Sequence, residues 1–170
     1  RHLFWLYEIS GLRTKMKQLH VKKGEILQKS GDVKSKVYVV ISGLLRSYLI
    51  DEKGKEHIFM FAPENWTIAD SLNPHASCDF FIDALEDSVV YVKDKTDYNN
   101  EDTQLLFNRI DVLQKRVIML MSSSAIERYE HFIETYSDIA QRVPQKMIAS
   151  YLGITPEALS KAKGDKLRRL

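Results

Sequence analysis

The side chains best suited to chemistry lie near the end of the chain, in TPEALSKAK, Thr155 to Lys163. On one helix, Thr155, Glu157, Ala158, Ser160, Lys161 and Lys163 fall outside the apolar positions Leu159 and Ala162. A carboxylate there can accept from the exocyclic amine of cytosine, and a lysine can donate to guanine, which is the chemistry of reading base edges in a major groove. Catalysis is poorly served by comparison. The five histidines (His2, His20, His57, His75, His131) are scattered and form no His-x-His pair, so a cupin-like metal site would need distant strands. His75 and Cys78 stand three apart, and two donors fall short of a metal or haem site. Nothing flanks Cys78 that would depress a thiol pKa and make it a redox switch. No nucleophile elbow, phosphate loop or zinc motif is present, so neither an enzyme, a metal nor a cofactor is expected.

Two short helices joined by a tight turn must position the base-reading groups. The first is expected over Gln145–Leu152, with Pro144 at its first position, where a missing N–H costs nothing. Gly153 can take the positive φ that follows a helix. Thr155 is a good N-cap, Pro156 suits the first helical position, and Glu157 places negative charge in the first turn. Ile148, Ala149, Leu152, Ile154, Leu159 and Ala162 supply the inner face, with Ala149 small enough for a close crossing. This spacing predicts a helix-turn-helix. Gly164 is expected to end the second helix after about nine residues.

The remainder of the 170 residues divides into a strand-rich part and a helical part. Residues 1 to 20 read as one or two helices. From Val21, short β-branched and aromatic runs alternate with turns: KKGE, KSGD, VYVVISG, LLRSYLI, DEKG, then His57 to Phe61 and two further strands before Asp94. In His57 to Phe61, alternation sets Ile58 and Met60 opposite Phe59 and Phe61. Turns every 8 to 12 residues predict an antiparallel β-roll or jelly roll over 1–100. Leu106, Ile110, Leu113, Val117 and Leu120 then recur at spacings of four and three, a coiled-coil seam of about two heptads. Leu105, Val112, Met119 and Ile126 form a second stripe. A long dimerisation helix is therefore expected over 101–124, and a helix-turn-helix domain over 125–170. The fold class is α+β.

Charge follows the same division. Residues 141–170 carry seven Lys or Arg against two acids, and residues 50–110 carry five against thirteen, within a net charge of only +2. The basic end coincides with the base-reading segment, as binding to phosphates requires. No apolar run approaches the roughly 20 residues that span a bilayer, and a single cysteine excludes an intramolecular disulfide. The expected compartment is the cytoplasm, with no membrane partner. The chain opens on Arg1 rather than Met, so further residues are expected beyond its ends.

The order of β-roll, long helix and helix-turn-helix resembles the Crp/Fnr superfamily of bacterial transcription regulators. KKGEILQKSGD, VYVVISGLLRSY, DEKGKE, IDALEDS and IASYLGITPEALSK carry the resemblance, from about Lys22 to Lys161. It implies a homodimer on a pseudo-palindromic duplex, a signal sensed in the roll, and RNA polymerase as a further partner. Glu157 and Lys161 stand where the family's recognition helix reads bases. Lysine replaces the more frequent arginine there and lacks its bidentate fork.

The sensor departs further. Family members that bind cyclic nucleotides hold the phosphate with a Gly-Glu segment and a nearby arginine. Residues Asn65 to Glu86 have neither and carry Asp70, Asp79, Asp83 and Glu86 instead. Cyclic AMP is therefore not the expected effector, and one cysteine cannot hold the iron-sulfur cluster of the oxygen-sensing branch. Tyr48, Phe59, Phe61, Trp66, Phe80 and Phe81 are a candidate pocket for a neutral or apolar effector, or simply core. The competing reading is a dimeric sensor or adaptor whose helix-turn-helix contacts protein instead of DNA.

Overall fold

The structure, a computed structural model, describes residues 17–33, 35–70, 73, 75–95 and 103–168, which form two compact units divided between Tyr98 and Asn99. The first contains strands β1 (Lys17–Val21), β2 (Ile26–Gln28), β3 (Lys36–Ser42), β4 (Leu45–Ile50), β5 (Glu56–Ala62), β6 (Thr67–Ile68), β7 (Phe81–Ala84) and β8 (Ser88–Asp94). They pair antiparallel into two four-stranded sheets, ordered β1-β8-β3-β6 and β2-β7-β4-β5. Both sheets feed one apolar cluster. Val21, Tyr38, Val40, Ile68 and Val90 enter from the first sheet, and Leu45, Met60, Ala62, Ile82 and Ala84 from the second.

Tight turns fix the register. Gly43, between β3 and β4, has φ +90°, and a Cβ there would lie 2.3 Å from Ser88 Oγ and 2.7 Å from the Asp87 carbonyl. No other residue fits that corner. At the β4–β5 hairpin, Asp51 Oδ1 accepts from the amides of Lys53 and Lys55, both at 2.9 Å, and Oδ2 lies 2.8 Å from His57 Nε2.

The structure departs from the sequence pattern in two places. The helix expected through residue 20 is strand β1 over Lys17–Val21, with Val21 buried and Leu19 packed against the interior cluster, a two-residue period. Residues 1–16 lie outside the described residues. In β5 the expected alternation fails at a bulge, where Met60 opposes Ser47 but Ile58 opposes Tyr48. Phe59 and Met60 therefore both reach the interior cluster, whereas Ile58 and Phe61 are buried outside it.

The second unit is helical: α1 (Thr103–Ser122), α2 (Ala125–Thr135), α3 (Ile139–Arg142), α4 (Gln145–Leu152) and α5 (Pro156–Leu167). Ser124 and Glu127 form a reciprocal capping box that starts α2 soon after α1 ends. The centre of the unit is aromatic. Phe132, Tyr136 and Tyr151 meet pairwise with ring centroids 5.4 to 5.6 Å apart, and Ile148, Leu152, Leu159 and Ala162 are buried with them.

Candidate nucleic-acid interface

Helices α4 and α5 form the turn that presents the polar segment. Pro144 is the N-cap of α4, one position earlier than expected, because its ψ of 145° is extended. Gly153 takes the left-handed conformation at φ 64°, where a Cβ would already sit 3.6 Å from Leu120 Cδ2. Thr155 then caps α5, its hydroxyl accepting from the Ala158 amide at 3.2 Å.

The last four carbonyls of α4 can be accounted for one by one. Ala149 accepts from the Ile154 amide at 3.0 Å and Ser150 from the Gly153 amide at 3.1 Å. Tyr151 accepts from Arg116 Nη2 of α1 at 3.3 Å, and Leu152 from Arg128 Nη1 of α2 at 3.0 Å. Arg128 also donates to Leu120 at 2.6 Å and Ser123 at 3.0 Å, at the end of α1. Arg116 further lies over the Tyr151 ring, 4.2 Å from its centroid. Two guanidinium groups thus complete a helix end that its own backbone leaves half unsatisfied. Neither arginine stands out in the sequence, where each reads as a solvated charge on a helix.

The six residues expected to face DNA separate on α5. Glu157, Ser160 and Lys161 are exposed on one side. Thr155 is exposed but serves as the cap, and Ala158 is half-buried. Lys163 turns toward α2, its Nζ 5.9 Å from the centroid of Tyr129, with Lys166 Nζ 6.0 Å from the same ring. The Glu157 carboxyl is held below its usual range by its own backbone amide and then by the Thr155 hydroxyl. It is an anionic acceptor at the positive end of a helix. Arg168, with its side chain 83% exposed, lies 3.9 Å from Asp165.

Gly164 does not end α5. Leu159 and Ala162 are both buried against the core, and α5 continues through the glycine to Leu167. Packing outweighs the local cost of about 1 kcal/mol for a helical glycine.

On α1, Ile110 is 49% exposed and Val117 53%, while Leu113 and Leu120 are half-buried. Ile110, Leu113, Gln114, Val117 and Ile118 line a shallow apolar groove. Of the second stripe, Met119 is buried, Ile126 half-buried and Val112 exposed. The side chains of Leu105 and Leu106 lie outside the described residues.

The roll does not gather its six rings into one pocket. Phe59 and Trp66 pack on the interior cluster and Phe80 stacks on Phe59 at 4.6 Å. Tyr48 and Phe81 stack on each other at 5.3 Å, next to Arg46, whose guanidinium is 4.0 Å from the Tyr48 centroid. Arg46 is buried and bonds both oxygens of Asp83, at 2.8 and 3.0 Å, and Glu56 at 2.6 Å. The bulge at Phe59 and the alternation of β7 account for this division. In the loop before β7, Asp70 Oδ2 accepts from the amides of Asp79 and Phe80, both at 2.8 Å, and from Gln28 Nε2 at 3.3 Å. Those amides already have an anion. Cys78 is buried and His75 exposed, and no group of three metal-binding side chains occurs among the described residues. Among those residues, too, no helix is long and apolar enough to cross a membrane.

Comparison with known proteins places both units. Residues 18–101 match the Cyclic nucleotide-binding domain family. The chain is 28% identical over 168 residues to the Fumarate and nitrate reduction regulatory protein of Yersinia pestis, covering 85% of this chain and 66% of that one. It is 24% identical to the Anaerobic regulatory protein of Haemophilus influenzae, covering 85% and 64%. The chain thus spans just under two thirds of the length of these relatives. Its fold is that of FixK2 from Bradyrhizobium japonicum, with a TM-score of 0.77 at 18% identity over 91% of this chain and 85% of that one. A CRP/FNR family transcriptional regulator from Thermus thermophilus gives 0.69 at 17% identity over 90% and 87%. A roll matched to cyclic nucleotide-binding domains is followed here by a helical unit that ends in a helix-turn-helix, and across both the chain is similar to regulators of the Crp/Fnr family.

Proposed function

We propose that the chain is a sequence-specific, duplex-DNA-binding transcription regulator of the cytoplasm that works as a homodimer. The observation that carries this reading is the outer side of α5, where Glu157, Ser160 and Lys161 stand exposed on a helix anchored by buried Leu159 and Ala162. Its N-terminal turns present an acceptor and a donor suited to base edges, and the surrounding basic residues suit phosphates. The relatives reported above are named as regulators, not as enzymes. The exposed seam of α1 suits a second copy of the same helix, and two-fold pairing would place two recognition helices on half-sites about 34 Å apart. RNA polymerase is the partner that a regulator bound at a promoter would meet.

In this reading the effector of the roll is not a cyclic nucleotide. Asp70 supplies a built-in anion to the amides of Asp79 and Phe80, and Arg46 is engaged by Asp83 and Glu56. A phosphodiester would have to displace a carboxylate in one place and break a buried ion pair in the other. The test is selection of duplexes from a random pool at near-physiological salt, with and without cyclic AMP. An inverted repeat enriched equally in both is expected. Enrichment only with the nucleotide would refute the sensor reading and keep the DNA reading. Failure to enrich any duplex would count against DNA binding and for a protein-binding adaptor.

A further inference from the structure

Gly164 stands in the third turn of α5 and does nothing there that a fold asks of glycine. The helix runs through it unbroken, and its carbonyl accepts from the Arg168 amide at 3.3 Å. Its φ lies outside the positive range occupied by Gly24, Gly31, Gly43, Gly54 and Gly153. A Cβ built at Gly164 meets nothing within 4 Å, so no neighbouring element needs the room. Glycine is nonetheless the least favourable helix residue after proline. A local rule broken without return to the fold points to a return in function.

The position says which function. Residues 157, 161, 164 and 168 follow at i, i+4, i+7 and i+11 and so form one stripe of the helix. Glu157 and Lys161 stand exposed at its start and Arg168 at its end. Between the base-reading pair and the terminal cation, the stripe is bare backbone. A recognition helix leads into the major groove with its N-terminal turns, and the later turns of the same stripe run up against the groove's sugar-phosphate wall. Glycine is the residue that lets a backbone approach a ligand most closely.

We infer that Gly164 is the close-approach point of α5 on duplex DNA. The backbone at this position lies against the sugar-phosphate wall, and the missing side chain lets Glu157 and Lys161 reach their bases and Arg168 its phosphate. Gly164 is a positioning residue, and its role rests on the DNA reading given above.

The test uses the full chain and a duplex enriched from a random pool by the unaltered protein. Gly164→Ala should raise the melting temperature, because alanine is the better helix former, and weaken binding to that duplex by about tenfold. Gly164→Leu should weaken it further. Affinity for an arbitrary duplex at low salt should fall by less than affinity for the enriched one, since the charges that dominate it are unaltered. An alanine variant that binds the enriched duplex as tightly as its parent would overturn the inference. So would a lowered melting temperature, because the glycine would then be serving the fold. If the unaltered protein enriches no duplex, the DNA reading falls and this inference falls with it; the two failures are told apart by which protein loses binding.

Discussion

Glu157 has two tasks at the start of α5. Its carboxylate answers its own amide and the Thr155 hydroxyl, and it is exposed on the side that also carries Ser160 and Lys161. The first task keeps it ionised below the usual carboxylate range, so it remains an acceptor under any physiological condition. Lys161→Ala is expected to weaken binding to the enriched duplex by about 1 to 3 kcal/mol, read by titration. Repeating the selection with Glu157→Ala should relax the preference at one position of each half-site; parental behaviour in both variants would refute the base-reading assignment. These residues are legible in the sequence because their signals are local, a cap, a proline and a glycine within a few positions. Arg116 and Arg128 are not. Their partners are backbone carbonyls 35 and 24 residues away, and no side-chain pattern reports a carbonyl. Polarity alone puts Lys163 among the residues expected to face DNA, but its angular position on α5 takes it to Tyr129.

Among the elements, α1 has two kinds of contact. Met119 is buried and Arg116 reaches the end of α4, while Ile110 and Val117 remain exposed. In the proposed homodimer, Val117→Asp should place a charge in the seam and yield a monomer, as sedimentation would show; an unchanged dimer would refute the seam. Arg128→Met should destabilise the helical unit by on the order of 2 to 3 kcal/mol, because a charged donor to three helix-end carbonyls is lost while the stem is kept. Arg128→Lys restores charge without the planar fork and should recover only part of that loss, measured by denaturant unfolding. The boundaries of α4 are readable from the proline before it and the glycine after it. The course of α5 past Gly164 is not, since the local glycine signal is overridden by burial of Leu159 and Ala162. The bulge at Phe59 is hidden for a related reason. A one-residue slip leaves composition and hydrophobicity unchanged while sending neighbouring rings to different surroundings.

At the scale of the whole molecule, acid and base are separated along the chain, and so are the responses to pH. The Asp51 carboxyl is held below its ordinary value first by His57 and then by the amides of Lys55 and Lys53, and that of Asp87 by the Lys23 amide and then Lys22. A carboxyl whose folded value is depressed stabilises the fold above its unfolded value, and that contribution disappears as pH falls through the folded one. Melting temperature should therefore fall as pH drops from about 5 through the ordinary carboxylate range and below it, and an Asp51→Asn, Asp87→Asn double variant should start lower and fall less steeply. An equal slope in both proteins would place the acid sensitivity elsewhere. The accounting of α4's carbonyls also bears on portability. A fragment cut at Ile139 would keep every residue of the helix-turn-helix and lose the donors for Tyr151 and Leu152. A reading head transplanted into a chimeric regulator must therefore bring α1 from before Arg116 with it. The smallest exchangeable part is a whole helical unit, and new specificities are better sought by substitution on α5 than by grafting the motif.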